Sequence, residues 1–359
     1  MKLLNVFDYE REAAKKLPQM AYDYYRSGAF DEITLQENMS AYQKIRLLPR
    51  ILRNVSDIDL SVELFGQKLS MPLLVAPMAF QAMAHPEAEA ATAQGVKRAD
   101  ITMLLSTLST TPMETVVELT GGATWFQLYV HKDREMVKGL VQRAEKAGCK
   151  ALVLTVDAPA MGRRERDVRN GFRLPETLFV DHLEGYSRDK ENKEGGSGLE
   201  TYFKEMLDAS LTWEDVAWLR SITSLPVLLK GVMHPEDARL AVENGASGIV
   251  VSNHGGRQLD TAPATIEVLP AIAAQVDSRI PLLMDGGIRR GTDIVKALAK
   301  GADAVLVGRP ILWGLTLEGS QGVHQILELL REELHLAMAL CGCTSIQDIN
   351  ESLLWRRTL

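Results

Sequence analysis

The residues with the most chemical potential are His254 and Arg257, in the stretch from Gly248 to Asp260 that reads GIVVSNHGGRQLD. A histidine can take or give a proton near neutral pH. An arginine can hold a carboxylate through two parallel hydrogen bonds. Three positions apart, the pair suits a substrate that carries an acid group and must lose a proton. Gly255 and Gly256 between them let the backbone turn sharply and let a ligand come close. Ile249 to Val251 are short and β-branched, as in a buried strand, so the histidine is expected at that strand's C-terminal tip. A second set of anion-binding types lies further on, in Asp285-Gly286-Gly287-Ile288-Arg289 and Val307-Gly308-Arg309-Pro310. Each follows an apolar run, and its backbone N–H groups and arginine suit a phosphate.

These residues need a scaffold that brings strand ends together. Eight short apolar runs occur at 73–77, 103–107, 125–130, 151–157, 227–232, 248–254, 281–287 and 304–309. Helical patterns fall between most of them, as at 135–147, 235–244 and 292–300. Strands alternating with helices mean βαβ units and a parallel sheet. Eight apolar strands imply closure, so the expected fold is α/β, a (β/α)8 TIM barrel, with its site at the strands' C-terminal ends. An internal repeat agrees: Asp237, Ala241, Gly245 and Ala246 recur 56 positions later as Asp293, Ala297, Gly301 and Ala302. The same frame maps Ser252 onto Gly308, and Ala144, Gly148 and Thr155 form an earlier copy. In each copy a helix ends on glycine, which suits the left-handed helix terminus.

The strand ends supply Pro77 and Ala79, Ser106, Gln127 and Tyr129, Thr155 and Asp157, Lys230, Ser252 and His254, Asp285 and Gly287, and Gly308 and Arg309. Any one of them could be an ordinary polar loop residue. So many hydrogen-bonding groups on one rim cannot all be.

One domain is expected over 1–359, with a helical N-terminal segment to about 70 and the barrel at about 71–345. The connection after the fourth strand, 158–226, is far longer than the ~2–6 residues that usually join a strand to a helix. Its glycine- and lysine-rich part, about Arg188 to Gly198, is expected to be mobile because it has little apolar area to offset ordering entropy. Thr212 is expected to cap a helix over 212–222, with Asp215 completing a capping box.

The net charge of −7 leaves no basic stripe for nucleic acid. An anionic substrate must then be captured by local arginines. Cys149, Cys341 and Cys343 read as reduced thiols, and no metal site is expected. The N-terminus, MKLLNVFDYEREAAKK, breaks into charge too soon for a signal peptide. No run approaches the ~18 apolar residues of a membrane span. The tail Arg357-Thr358-Leu359 does not match the usual peroxisomal tripeptide. A cytoplasmic protein is expected.

The segments 252–260 (SNHGGRQLD), 229–232 (LKGV), 285–291 (DGGIRRG) and 126–129 (FQLY) closely resemble the FMN-dependent α-hydroxy acid oxidases. The likeness runs from about Val6 to Leu353. It implies FMN as cofactor, a small L-2-hydroxy acid and oxygen as substrates, a 2-oxo acid and hydrogen peroxide as products, and a homotetramer or higher homo-oligomer. It also implies roles. His254 would be the base, with Asp157 stabilising the imidazolium. Arg257 and Arg164 would hold the substrate carboxylate, and Tyr24 and Tyr129 would hydrogen-bond to substrate. Lys230 would lie beside the flavin. Pro77, Met78, Ala79, Ser106, Gln127, Thr155 and Ser252 would line it, Asp285 would hold its ribityl chain, and Gly287, Arg289, Gly308 and Arg309 its phosphate. Leu108 stands where the plant glycolate oxidases share a tryptophan, and Met78, Phe80 and Met161 also depart from the plant pattern. The smaller side chain at 108 leaves room for the methyl of L-lactate, which is the expected substrate. Glycolate or a longer hydroxy acid is the alternative, and a non-redox, phosphate-binding barrel isomerase a more distant one.

Overall fold

The computed structural model describes residues 2–175, 178–183 and 198–355. After a hairpin of β1 (Val62–Leu64) and β2 (Gln67–Leu69) come eight strands: β3 (Leu73–Val75), β4 (Thr102–Leu105), β5 (Thr124–Leu128), β6 (Leu152–Thr155), β7 (Val227–Val232), β8 (Gly248–Val251), β9 (Leu282–Asp285) and β10 (Ala304–Val307). They pair in parallel in that order, and β10 returns to β3 to close the barrel. All eight expected strands are present. Most leave the ladder two or three residues before their apolar runs end, because those last residues turn towards the barrel mouth.

Alternation decides what fills the barrel, since side chains along a strand point to opposite faces in turn. Leu74, Leu104, Trp125, Val153, Leu228, Val250, Leu283 and Leu306, one from each strand, belong to a single enclosed apolar cluster. Two positions on, towards the C-terminal mouth, stand Ala76, Ser106, Gln127, Thr155, Lys230, Ser252, Asp285 and Gly308. The change from an apolar layer to one of polar or bare positions thus happens at one level, with Ala76 and Gly308 as the bare ones. The opposite mouth is stoppered by the hairpin: Leu64 and Leu69 join the same cluster, and the Phe65 ring meets Trp125 edge-on at 5.4 Å. This hairpin lies inside the stretch expected to be helical. Its strands of three residues are too short to show a period.

Outward-facing residues such as Leu73, Val75, Met103 and Leu105 pack in the larger cluster formed with the helices. The repeat's glycines do what its spacing requires: Gly148, Gly245 and Gly301 have φ of 94°, 76° and 106°. Their partners Ala144, Ala241 and Ala297 are wholly buried.

The N-terminal helices Val6–Lys16, Gln19–Arg26 and Ile33–Lys44 are bolted to the C-terminal face of the barrel. Asn38 and Asn253 exchange side-chain hydrogen bonds at 2.9 and 2.8 Å. Asp260 accepts from the backbone N–H groups of Asp31 and Thr34, at 3.0 and 2.9 Å. Ala29 N–H donates to the Gly256 carbonyl at 2.8 Å. A Cβ on Gly256 would lie 2.7 Å from the Leu35 nitrogen, so glycine is obligatory there.

In the long connection, helices Glu165–Arg169, Gly198–Glu205 and Trp213–Ser221 are formed. Thr212 caps the last of these in the expected capping box with Asp215. The stretch expected to be mobile lies outside the described residues, except that Gly198 opens a helix. Among the described residues, no helix is long and apolar enough to cross a membrane.

Candidate active site

The polar layer floors a cleft of about 1140 Å3, counted to its open mouth, at the C-terminal end of the barrel. The layer is tied together before any ligand is considered. Ser106 Oγ and the Thr107 N–H both donate to Gln127 Oε1, each at 3.2 Å, and Gln127 Nε2 donates to Thr155 Oγ1 at 3.0 Å. Lys230 Nζ donates to Ser252 Oγ at 2.9 Å and lies 3.1 Å from the Asp285 carboxylate. Burial pulls the lysine's pKa down, but Asp285 and Asp157 outweigh it, so the group is held above its ordinary value and stays an ammonium. Asp285 Oδ1, on the far side of that pair, is buried without a partner.

His254 begins where β8 ends. Its φ of 56° is left-handed, a conformation that non-glycine residues hold only when their surroundings impose it. The His254 N–H donates to Ser252 Oγ at 3.1 Å, and Nδ1 pairs with Asp157 Oδ1 at 2.9 Å. That bond leaves Nε2 as the free ring nitrogen. Burial would raise the Asp157 carboxyl, but His254 and then Lys230 outweigh it, so its pKa lies below the usual value. Asp157 also accounts for Gly231, where β7 shifts register against β8. A Cβ there would lie 2.6 Å from the Asp157 side chain.

Arg257 and Arg164 share one ring. Their guanidinium carbons lie 5.0 and 5.7 Å from the centre of Tyr24, which stacks on Phe172 at 4.7 Å. Arg257 Nη1 is anchored on the Tyr24 and Ser27 carbonyls. Burial and then Arg164 pull the Arg257 pKa down to about 10, which still leaves a cation at neutral pH. Arg164 Nε has no hydrogen bond, and Asp167 stands 3.7 Å away. Two guanidiniums facing one cleft, Arg164 buried and Arg257 half-buried, call for an anion with a flat, two-oxygen head. Burial, and then Asp157, push the Tyr129 phenol up, so Tyr129 remains a hydrogen-bond donor.

A second cationic corner is formed by Arg289 and Arg309. Arg309 donates to the Tyr25 and Ser27 carbonyls at 2.9 and 3.0 Å, and Arg289 Nη1 to the Ile288 carbonyl at 2.8 Å. Arg289 Nε is buried and unpartnered. Among the described residues, no ion pair with a carboxylate forms at Arg257, Arg289 or Arg309. Burial, followed by Arg257 and Arg289, pushes the Arg309 pKa well below its ordinary value. Cations that repel one another in a cleft are stabilised by a bound anion. Gly308 lies beside them with φ of −112°, and a Cβ there would touch nothing closer than 3.6 Å. Its bareness therefore keeps cleft space open. Gly287 is different: a Cβ there would lie 1.8 Å from the Asn38 carbonyl oxygen, so packing alone demands glycine.

Of the residues expected at the site, Tyr24, Pro77, Met78, Ala79, Ser106, Leu108, Gln127, Tyr129, Thr155, Arg164, Lys230, His254, Arg257, Asp285, Gly287, Arg289, Gly308 and Arg309 all line the cleft. Asp157 and Ser252 stand one layer behind it, holding His254 and Lys230. Leu199 and Phe203, on the helix Gly198–Glu205, line it unexpectedly. Their one signal is an apolar pair four positions apart inside a polar insertion. Replacing Lys230 by Met would strip a buried carboxylate of its partner. Urea unfolding of the flavin-free protein should then show a loss of about 3–5 kcal/mol. Adding Asp285→Asn should restore most of it, and a Lys230→Met protein as stable as the parent would refute the pairing.

Comparison with known proteins identifies the family to which a chain with this cleft belongs. The family described as FMN-dependent dehydrogenase matches residues 13–356. An L-lactate oxidase from Nostoc sp. is 53% identical over 356 residues, covering 98% of each chain. A glycolate oxidase from Spinacia oleracea is 51% identical over 352 residues, covering 98% of this chain and 95% of that one. The solved structure of a mandelate oxidase with (S)-4-hydroxymandelic acid superposes with a TM-score of 0.94 at 43% identity, covering 98% of both chains. FMN fits what the cleft leaves unmet, namely an open glycine cradle beside two unpaired arginines and a floor with one orphaned carboxylate oxygen. The chain belongs to the FMN-dependent dehydrogenase family.

Proposed function

We propose that this protein oxidises L-2-hydroxy acids, L-lactate foremost, to 2-oxo acids and passes the electrons to oxygen, leaving hydrogen peroxide. The observation that carries the proposal is the His254–Asp157 pair beside two guanidiniums that share one tyrosine ring. Arg257 and Arg164 hold the substrate carboxylate, which turns the α-hydroxyl towards His254 Nε2. That nitrogen takes the hydroxyl proton, and the Asp157 carboxylate stabilises the imidazolium through Nδ1. Tyr24 and Tyr129 hydrogen-bond to the substrate. Bound FMN supplies the two-electron acceptor. Lys230 gives the floor a buried cation, which favours negative charge arriving there. Ser106, Gln127, Thr155 and Ser252, with Pro77, Met78 and Ala79, would surround the ring system. Asp285 would hold the ribityl chain, and Gly287, Arg289, Gly308 and Arg309 the phosphate.

Lactate is favoured over glycolate by Leu108. Its N–H donates to Ser106 Oγ at 3.1 Å and its carbonyl accepts from Phe80 N–H at 3.1 Å, so its side chain is aimed by fixed backbone. A leucine offers a substrate methyl apolar contact without filling its space.

We also read the protein as a cytoplasmic homo-oligomer, a tetramer or larger. The three cysteines are free and buried, as suits a reducing compartment. Ile51 and Leu52 are 82% and 100% exposed, and Arg50 N–H bonds the Cys341 carbonyl beside Leu340, itself 66% exposed. Apolar surface of that kind suits a contact between copies.

Anaerobic L-lactate should bleach the flavin of the purified protein, and aerobic turnover should release peroxide. His254→Ala should keep its FMN and lose ~10²–10⁴-fold in turnover; near-parental rates would remove His254 as the base. Leu108→Trp should lower kcat/KM for lactate more than for glycolate, within the ~1–3 kcal/mol that one methyl is worth in an apolar pocket. An unchanged ratio in a flavin-loaded variant would leave Leu108 without that role. Sedimentation of the holoenzyme should give a multiple of 39.7 kDa, and a purely monomeric species would overturn the oligomer.

A further inference from the structure

His131 is wholly buried, two positions beyond the cleft residue Tyr129. Its Nε2 lies 2.7 Å from the Tyr202 hydroxyl, and its Nδ1 is buried without a partner. Burial pushes its pKa down to about 4 against the pull of Asp133, so the ring is neutral at physiological pH. A position that only needed filling would be better served by an apolar side chain, since an unmet buried ring nitrogen is costly. The bond to Tyr202 is what distinguishes a histidine here.

Tyr202 belongs to the helix Gly198–Glu205, and on the same helix Leu199 and Phe203 line the cleft. The Phe203 ring meets Tyr129 edge-on at 5.9 Å, which sets this helix at the same end of the cleft as Tyr129. Among the described residues, the backbone bonds between this helix region and the barrel fall on the chain just after it. Lys132 N–H donates to the Met206 carbonyl at 2.9 Å and Asp208 N–H to the Val130 carbonyl at 3.0 Å, on either side of a bridge between His131 and Leu207. A helix of eight residues is too short to be stable by itself. Pivoting about that bridge would carry Leu199 and Phe203 off the cleft together, because residues four apart share a helix face.

We propose that His131 and Tyr202 are positioning residues whose hydrogen bond sets the rotation of this helix, holding Leu199 and Phe203 as an apolar wall against the substrate's carbon chain. The inference rests on the hydroxy acid reading above. It extends that reading to a substrate class: 2-hydroxy acids whose chain beyond the α-carbon is apolar, lactate and its longer homologues.

The test uses the full-length, FMN-loaded protein. Tyr202→Phe removes only a hydroxyl. It should speed hydrogen exchange across 199–207 and raise KM for L-lactate and L-2-hydroxybutyrate while kcat and flavin content hold. The expected rise is about 3- to 10-fold, the factor that one neutral hydrogen bond corresponds to. His131→Leu, which loses the bond but opens less of a cavity than alanine would, should raise KM in the same direction, and in the double variant the two rises should combine to less than their product, since both remove the same bond. His131→Gln, whose amide can donate or accept near the place of Nε2, should move KM back towards the parent value. Unchanged exchange in Tyr202→Phe would overturn the positioning role, as would faster exchange with unchanged KM or a fall in kcat alone. If the parent oxidises no 2-hydroxy acid, the functional reading fails, and the exchange data alone decide whether the bond holds the helix.

Discussion

Eight parallel strands closed into a barrel leave an interior that only alternate residues can reach, and that restriction organises the protein. One layer of eight side chains, from Leu74 to Leu306, is apolar and packs solid. The next layer starts two positions later on every strand and is polar or bare, from Ala76 to Gly308. The step from packing to chemistry is therefore one pleat deep. A shift of one residue in any strand would exchange a floor residue for one that faces the helices. The ligand-facing floor inherits its rigidity from the packed layer beneath it, which is the support a site needs to hold its groups in place.

Electrostatics divides the cleft above that floor. Lys230 and Asp285 are paired, so the floor is nearly neutral overall, with one carboxylate oxygen to spare. Arg257 and Arg164 make a corner fit for a carboxylate, and Arg289 and Arg309 one fit for a phosphate. A protein of net charge −7 thus concentrates cations in one cleft, and local geometry rather than the overall field selects its ligands. The N-terminal helices belong to this arrangement. Tyr24, Tyr25 and Ser27 supply the carbonyls on which Arg257 and Arg309 are hung. Asp260, Gly256 and Asn253 clamp those helices in return.

Much of this was legible beforehand, for identifiable reasons. The barrel strands announce themselves because short β-branched runs end on small or polar residues. The helix ends do so because Gly148, Gly245 and Gly301 need left-handed φ. Strand ends were overestimated where the chain runs on past the last ladder bond into the turns that carry Asp157 and His254. The hairpin that stoppers the barrel escaped because three residues cannot display a period. Leu199 and Phe203 escaped for another reason. They reach the cleft that Tyr129 lines across some seventy positions of intervening chain, and nothing local marks that meeting. Asp157 and His254, 97 positions apart, were paired only through the family likeness. Gly287 was assigned to phosphate, but its bareness is explained by the Asn38 carbonyl pressed against it.

The stopper has a consequence for traffic. With Phe65 set against Trp125 and the apolar layer packed above, the barrel is a cul-de-sac, not a tunnel. On the proposed chemistry, hydroxy acid and oxygen enter by one doorway, and oxo acid and peroxide leave by it. Each arrival competes with a departure. An oxo acid still seated on Arg257 and Arg164 stands in the path of the next hydroxy acid, so the enzyme's pace under accumulating product is set at its threshold as much as at its floor.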